Sequence, residues 1–444
     1  MNQPFWLTRD WWYRAGHATL AIWIGTALAF VATLVVARSL GPTGYGSVIL
    51  AVSLASLIFT LLDLTLEEAV VFHGSRLLAG DDIVGLRGLL SAALVIDAFN
   101  GILVLAVVVS FAPAISELLS DGSTTPSLLR LASLATFATT MDGTTGAMLL
   151  LARRPEMKAW MMAWAAFIRV AAVLAALSLG AGPMAVLLAF AVAAALGAVS
   201  QGFLAWRMAR HRWATAGEGS SVRTWMRPLL GFGIHTSLAT SVLAGRGALV
   251  PVIFGRVAGV QALGLFSVGM LPVSLASIAT SGLRMSLFPE QARMATRRDW
   301  SGLRRSVRGH TLIGLAVGLP AAAIGYLLLP WLIPILYSPA FSGSVDPARI
   351  MLIAAVLYLA LGWSKTLPAA VGSPGLRTAV AGLDLGISAL LVWTLAAHGS
   401  VGAATAVSVS TALLAVAWWL VLRTILRRMR QQDGRLPAPE SGGP

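Results

Sequence analysis

The sequence predicts an all-α integral membrane protein of about twelve transmembrane helices, built as two parallel six-helix repeats. Three observations predict this. Fifty-seven percent of the 444 residues are hydrophobic and only 11% are charged, with a mean hydropathy of +0.81. Apolar runs of about 20 residues, enough to cross a ~30 Å hydrocarbon layer, recur along the whole chain. The two halves also match at a constant offset. Ala37 to Gly46 (ARSLGPTGYG) aligns without a gap on Gly255 to Gly264 (GRVAGVQALG), pairing Arg38 with Arg256, Gly41 with Gly259 and Gly46 with Gly264. After one residue of slippage, Gly85-Leu86-Arg87 meets Gly302-Leu303-Arg304.

The predicted spans of the first half are 15–37, 46–68, 89–112, 127–152, 158–180 and 183–206. Those of the second half are 228–254, 261–284, 309–336, 346–371, 376–397 and 400–423. An even number of spans per half starts both halves on the same side of the membrane, so the repeats are parallel about an axis along the membrane normal. Many carriers have this organisation, with the substrate site between the repeats. The expected divisions are an interfacial N-terminal segment (1–14), a first lobe (15–206), a cytoplasmic linker (207–227), a second lobe (228–423) and a basic, disordered tail (424–444). Met1 to Arg14 lacks the apolar stretch of a cleavable signal peptide. Its Trp6, Trp11, Trp12 and Tyr13 read as interfacial anchors of the first helix.

The net charge of +14 would suggest nucleic acid in a soluble protein. Here it follows topology. Arg76, Arg87, Arg153, Arg154, Lys158, Arg210, Arg297 and Arg304 all fall in one set of alternating loops, whereas the other set holds only Arg38, Arg256 and Arg349. This asymmetry places both termini in the cytoplasm and leaves no role for nucleic acid. The basic loops can also rest on anionic headgroups of the membrane lipids. No cysteine is present, which excludes disulfides and thiol chemistry. Neither a phosphate-binding GxxxxGK[ST] loop nor an HExxH pair occurs, and the longest outer loops, 113–126 and 337–349, are short for a membrane-bound catalyst. The sequence therefore does not read as an enzyme, and no cofactor is expected beyond an H+ or Na+ gradient.

The residue pattern then reaches a family. Ala37 to Gly46, followed by LDLTLEEAVV at 62–71, LLARRPEMKA at 150–159 and LFPEQAR at 287–293, resembles the bacterial polysaccharide (oligosaccharide) flippases, also called polysaccharide biosynthesis membrane proteins. They belong to the superfamily of multidrug, oligosaccharidyl-lipid and polysaccharide exporters. The resemblance covers roughly residues 15 to 425. It implies a two-lobed V, as in multidrug-extrusion carriers, that rocks to move an undecaprenyl diphosphate-linked oligosaccharide across the inner membrane of a bacterium. Such a cargo needs a cationic cavity. A polysaccharide polymerase or glycosyltransferases are candidate protein partners.

Charges inside the membrane are expensive, so each is a candidate site residue. By the resemblance span 7 borders the central cavity, which makes Arg246, flanked by Gly245 and Gly247, a candidate two-pronged donor to the diphosphate. A structural ion pair or snorkelling to the interface is the alternative. Arg169 in span 5 and Asp142 in span 4 lie at nearly equal distances from the turn near Pro155. A bridge between them that holds the first lobe is expected ahead of cargo contact. Arg284 and Lys365 lie near the inner ends of spans 8 and 10, where they can snorkel or meet the diphosphate. Asp63, Glu67 and Asp97, with Glu68 beside them, form a group of acids in which one can titrate near neutral pH, or which simply faces water. Asp384 in span 11, near Thr405 and Thr411 in span 12, is the remaining coupling-ion candidate. Some relatives bind sodium among spans 7, 11 and 12, but span 7 here lacks an acid, and Asp384 can instead pair with Lys365 or Arg377.

The expected function is thus a flippase for a lipid-linked oligosaccharide used in surface polysaccharide, such as lipopolysaccharide, synthesis. The competing reading is a cation-coupled exporter of small amphipathic molecules on the same fold.

Overall fold

The structure, a computed structural model, describes residues 9–433 apart from 63, 121–123, 181, 214–220 and 282. These residues are almost entirely helical, and no strand occurs among them. Helix α1 (Arg9–Leu62) carries spans 1 and 2, α2 (Glu67–Ala79) follows, and α3 (Ile83–Ser120) is span 3. Span 4 is broken into α4 (Pro126–Ala138) and α5 (Asp142–Leu151), and α6 (Pro155–Ser178) and α7 (Pro183–Arg212) complete the first repeat. In the second, α8 (Val222–Gly269) and α9 (Leu271–Ser281) make spans 7 and 8, followed by α10 (Leu283–Thr296) and α11 (Trp300–Leu336). Span 10 is broken like span 4, into α12 (Val345–Ala360), a 3-10 turn (Gly362–Lys365) and α13 (Leu367–Ala370). Helices α14 (Pro374–Leu395) and α15 (Gly399–Asp433) end the chain.

Eight segments are long and apolar enough to cross a membrane on their own. Two of them, Gly16–Leu62 and Gly375–Ile425, each hold two predicted spans. With span 4, divided between α4 and α5, and span 8, carried by the shorter α9, the count reaches twelve. Helix starts follow local chemistry: Pro126, Pro155, Pro183 and Pro374 stand in the first turns of α4, α6, α7 and α14, where a missing N–H costs nothing. Large side chains such as Leu327 (70% exposed) and Trp331 (74%) face outward from α11, as they do where lipid is the solvent.

The internal repeat is visible in the backbone. Gly41 (φ 67°) and Gly259 (φ 80°) kink α1 and α8 at equivalent points, a conformation only glycine enters freely. The two turns also meet. A Cβ on Gly46 would fall on the Val260 carbonyl oxygen, and one on Gly264 would fall on that of Pro42. A second repeated device opens α3 and α11: Asp82 accepts the Gly85 N–H at 2.7 Å, and Asp299 accepts the Gly302 N–H at 2.7 Å. The preceding residues, Asp81 (φ 53°) and Arg298 (φ 56°), share the same left-handed turn.

Contacts divide the chain into two compact units. The first is Met1–Gly264 with Leu336–Ala340, and the second is Leu265–Ile335 with Phe341–Pro444. The first is centred on Leu86, Leu89, Leu149, Leu151 and Leu229, with Phe72 stacked on Phe232 at 5.3 Å. Within it Arg38 donates to the Leu336 carbonyl at 3.2 Å, closing the end of α11. The second is centred on Leu303, Val307, Trp363 and Trp418, and the Trp363 indole donates to Thr311 Oγ1 at 3.1 Å.

Two helices run into the expected terminal segments. Helix α1 begins at Arg9, inside the segment expected to lie ahead of the spans, because Trp11 to Arg14 continue the helical run; Trp6 lies outside the described residues. Helix α15 runs on to Asp433, into the segment expected to be disordered, since Thr424 to Asp433 contains neither glycine nor proline to stop it.

Candidate functional site

A cavity of about 350 Å³ lies within the first unit, lined by residues of α1, α5, α6 and α7 and by Thr139 in the break of span 4. Its polar lining comes from Thr26, Thr139, Asp142, Arg169 and Gln201. The break supplies the backbone groups. Gln201 Nε2 donates to the Asp142 carbonyl at 3.1 Å and to Thr145 Oγ1 at 2.8 Å. In the membrane, freed backbone groups need such internal partners.

The expected Asp142–Arg169 bridge does not form. The two line the same cavity, but no ion pair joins them. The guanidinium of Arg169 lies 5.5 Å from the Phe190 ring centroid, and its Nε is buried without a hydrogen-bond partner. The physical reason is the position of the turn. It spans residues 152–154, so Arg169 is five residues further from its centre than Asp142, an offset of about 7 Å at 1.5 Å per residue. Equal spacing from Pro155 is not equal depth.

Three members of the expected acid group lie among the described residues. Glu67, in the first turn of α2, is ion-paired with Lys158 of α6, and Gly146 of α5 leaves the gap through which the lysine stem passes. Glu68 is exposed. Asp97 is 3% exposed, on the face of α3 that also buries Ala93 and Gly101. Asp63 lies outside the described residues.

Arg246 is half-buried on α8. That helix is fixed to the end of span 2 by Ser237, which accepts the Thr65 N–H at 2.8 Å, and by Ser241, which donates to the Thr60 carbonyl. Arg284 stands in the first turn of α10, and its side chain lies outside what is described.

In the second unit, an apolar groove of about 360 Å³ runs along α9, α11 and α12, from Leu271, Leu332 and Leu352 to Ala279, Val317 and Leu359. Gly318, Ala321, Ala322 and Gly325 form its small-residue wall. Beyond one end the surroundings become polar. The Lys365 ammonium donates to Thr280 Oγ1 at 3.1 Å and lies 5.9 Å from the Tyr358 ring, and Thr366 donates to Gln291 Oε1 at 2.8 Å. Asp384 accepts from Ser388 at 3.2 Å, and Ser388 meets Ser410 at 3.1 Å. Thr405 and Thr411 donate back to the carbonyls four residues earlier, at 2.9 and 2.7 Å.

Gln201, Thr280, Ser388 and Ser410 escaped the sequence reading because neutral polar residues in an apolar helix are common. The Lys158–Glu67 pair escaped because its partners are 91 residues apart. One signal was available. Among 32 basic residues, only Lys158 and Lys365 are lysines, and each is engaged by a specific partner.

This is a multi-pass helical membrane protein with charged and polar groups set into its spans. The family model described as polysaccharide biosynthesis protein matches residues 14–295, so the chain belongs to that family. No curated protein matches it. Among solved structures it is similar to the lipid II flippase MurJ in an inward closed conformation (TM-score 0.72, 11% identity, 96% of this chain and 94% of that one). It is similar also to an inward-facing multidrug resistance MATE family transporter of the MOP superfamily (TM-score 0.71, 14% identity, 91% and 95%). A third is a MOP superfamily transporter from Pyrococcus furiosus, described as having a binding pocket of reversed polarity (TM-score 0.62, 14% identity, 94% and 96%). At these identities the likeness establishes the fold.

Proposed function

We propose that the protein flips a lipid-linked oligosaccharide, of the undecaprenyl diphosphate type, across the cytoplasmic membrane of a bacterium by alternating access, for surface polysaccharide synthesis. The observation that carries this reading is the groove of the second unit, which pairs a wholly apolar lining with a lysine ammonium beyond one end. An isoprenoid chain fits the first and a phosphate the second. Family membership supports the same assignment, as does the cation Arg246 on α8. An H+ or Na+ gradient is the proposed driving force, and polymerase or glycosyltransferases the proposed neighbours.

The test is a deletion strain. Loss of the protein should trap a lipid-linked oligosaccharide on the cytoplasmic side, and native protein should restore export while Lys365→Gln restores it poorly at equal protein level. Unchanged surface polymer in the deletion, together with increased sensitivity to amphipathic cations, would favour the exporter reading instead.

A further inference from the structure

A different cavity, of about 380 Å³, opens in the first unit among the start of α3, the α5 helix and the last turns of α7. Arg87 and Arg210 line it, together with Ser91, and no carboxylate is among its described lining residues. The Arg210 guanidinium lies 4.9 Å from the centre of the Trp206 ring. Trp206 is half exposed, whereas Trp213, also in the lining, is buried. The rest of the wall is apolar: Leu90, Leu94, Met148 and Ala209. Arg87 precedes predicted span 3 and Arg210 follows predicted span 6, while Leu94 and Met148 fall within spans. The cavity therefore straddles the level where headgroups give way to hydrocarbon.

We propose that this cavity binds the phosphodiester headgroup of an anionic glycerophospholipid from the surrounding leaflet. The phosphate sits with Arg87 and Arg210, and an acyl chain leaves past Leu94 and Met148. Guanidinium groups give phosphate oxygens paired, charge-assisted hydrogen bonds. Indoles favour the interfacial depth, and a basic pocket between membrane helices is the setting in which anionic lipids are recognised. A free phosphate would use the two arginines and leave the apolar wall unused; a lipid uses both. The lining shares no residue with the cavity of Asp142 and Arg169 or with the groove near Lys365.

The test uses the purified full-length protein in a neutral detergent, with native mass spectrometry and thermal unfolding as readouts. It is presented with phosphatidylglycerol, phosphatidylcholine of the same chains, or inorganic phosphate. Phosphatidylglycerol should be retained and should raise the unfolding temperature, while the other two should do neither. Changing Arg87→Gln together with Arg210→Gln should lower retention by about tenfold or more. Ala209→Phe, which fills the cavity and leaves both charges, should lower it as far. Arg207→Gln, beside Trp206 but outside the lining, should leave it unchanged. Equal retention of the two lipids by the native protein overturns the proposal, even if every variant folds badly. So does full retention by Ala209→Phe, an equal loss in Arg207→Gln, or stabilisation by phosphate alone matching that of the lipid.

Discussion

The Lys158 ammonium of α6 passes Gly146 of α5 to reach the Glu67 carboxylate at the start of α2. One ion pair thereby ties three segments of the first unit. Its side chains are 24% and 31% exposed, between the regime of surface pairs and that of fully buried ones.

Lys158→Ala should accordingly cost about 1–2 kcal/mol of stability, and a double-mutant cycle with Glu67→Gln should return a coupling of about 1 kcal/mol. Thermal unfolding in detergent measures both. Strict additivity would show that the two side chains do not interact in the folded protein.

Gly46→Ala and Gly264→Ala each drive a methyl group into a backbone carbonyl, of Val260 and Pro42 respectively. Backbone cannot rotate away as a side chain can, so each change should cost about 2 kcal/mol or more and lower membrane abundance. Gly247→Ala, whose Cβ would meet nothing within 4 Å, is the control and should be harmless. Wild-type stability in Gly46→Ala would mean that the two turns do not touch.

Arg169 stands beside a cavity without an ion pair. Arg169→Met should cost less than about 1 kcal/mol, against the ~3–5 kcal/mol of breaking a buried pair. A loss in the larger range would reveal a partner acquired in the membrane.

Arg246 tests the cargo. If it meets a diphosphate, Arg246→Ala should abolish surface-polymer export at unchanged protein level, and Arg246→Lys should restore only part, because an ammonium lacks the planar fork. Full rescue by lysine would assign the residue to structure. Export assays normalised to membrane protein separate the two.

Asp299 predicts a pH response. The Gly302 N–H first, then the Ser301 hydroxyl, hold its carboxyl below the ordinary carboxylate range. A group depressed in the folded state stabilises above its unfolded pKa and loses that contribution as pH falls through the folded one. Native protein should therefore lose stability on acidification more steeply than Asp299→Asn, which has no proton to take up there. Parallel curves would mean that the cap forms equally well with a neutral side chain.

Much of the fold was legible because its devices are chemical. Gly41 and Gly259 recur at the repeat offset and so marked equivalent turns in the sequence, whereas the caps of Asp82 and Asp299 emerged only in the structure. The breaks in spans 4 and 10 were not read from the sequence, although Thr139-Thr140-Met141-Asp142 and Gly362-Trp363-Ser364-Lys365 interrupt the apolar runs there, because the freed backbone is satisfied by distant groups such as Gln201. At the site, residue types were readable but their partners were not. Asp142 and Arg169 were matched by counting from a proline that proved to lie past the turn, and Lys158 was assigned to a solvated loop when it crosses α5 to an acid.

The two contacts at Gly46 and Gly264 have the form of an isologous interface, in which one surface meets a copy of itself: position 46 on 260, and its repeat, 264, on 42. Self-complementary surfaces of this kind ordinarily join separate subunits about a dyad. Here the dyad is local and runs through a single polypeptide, so a substitution in either turn is felt at both. The pair behaves as one mutational target, and a bulkier residue at position 46 can be accommodated only by a matching retreat of the backbone near 260.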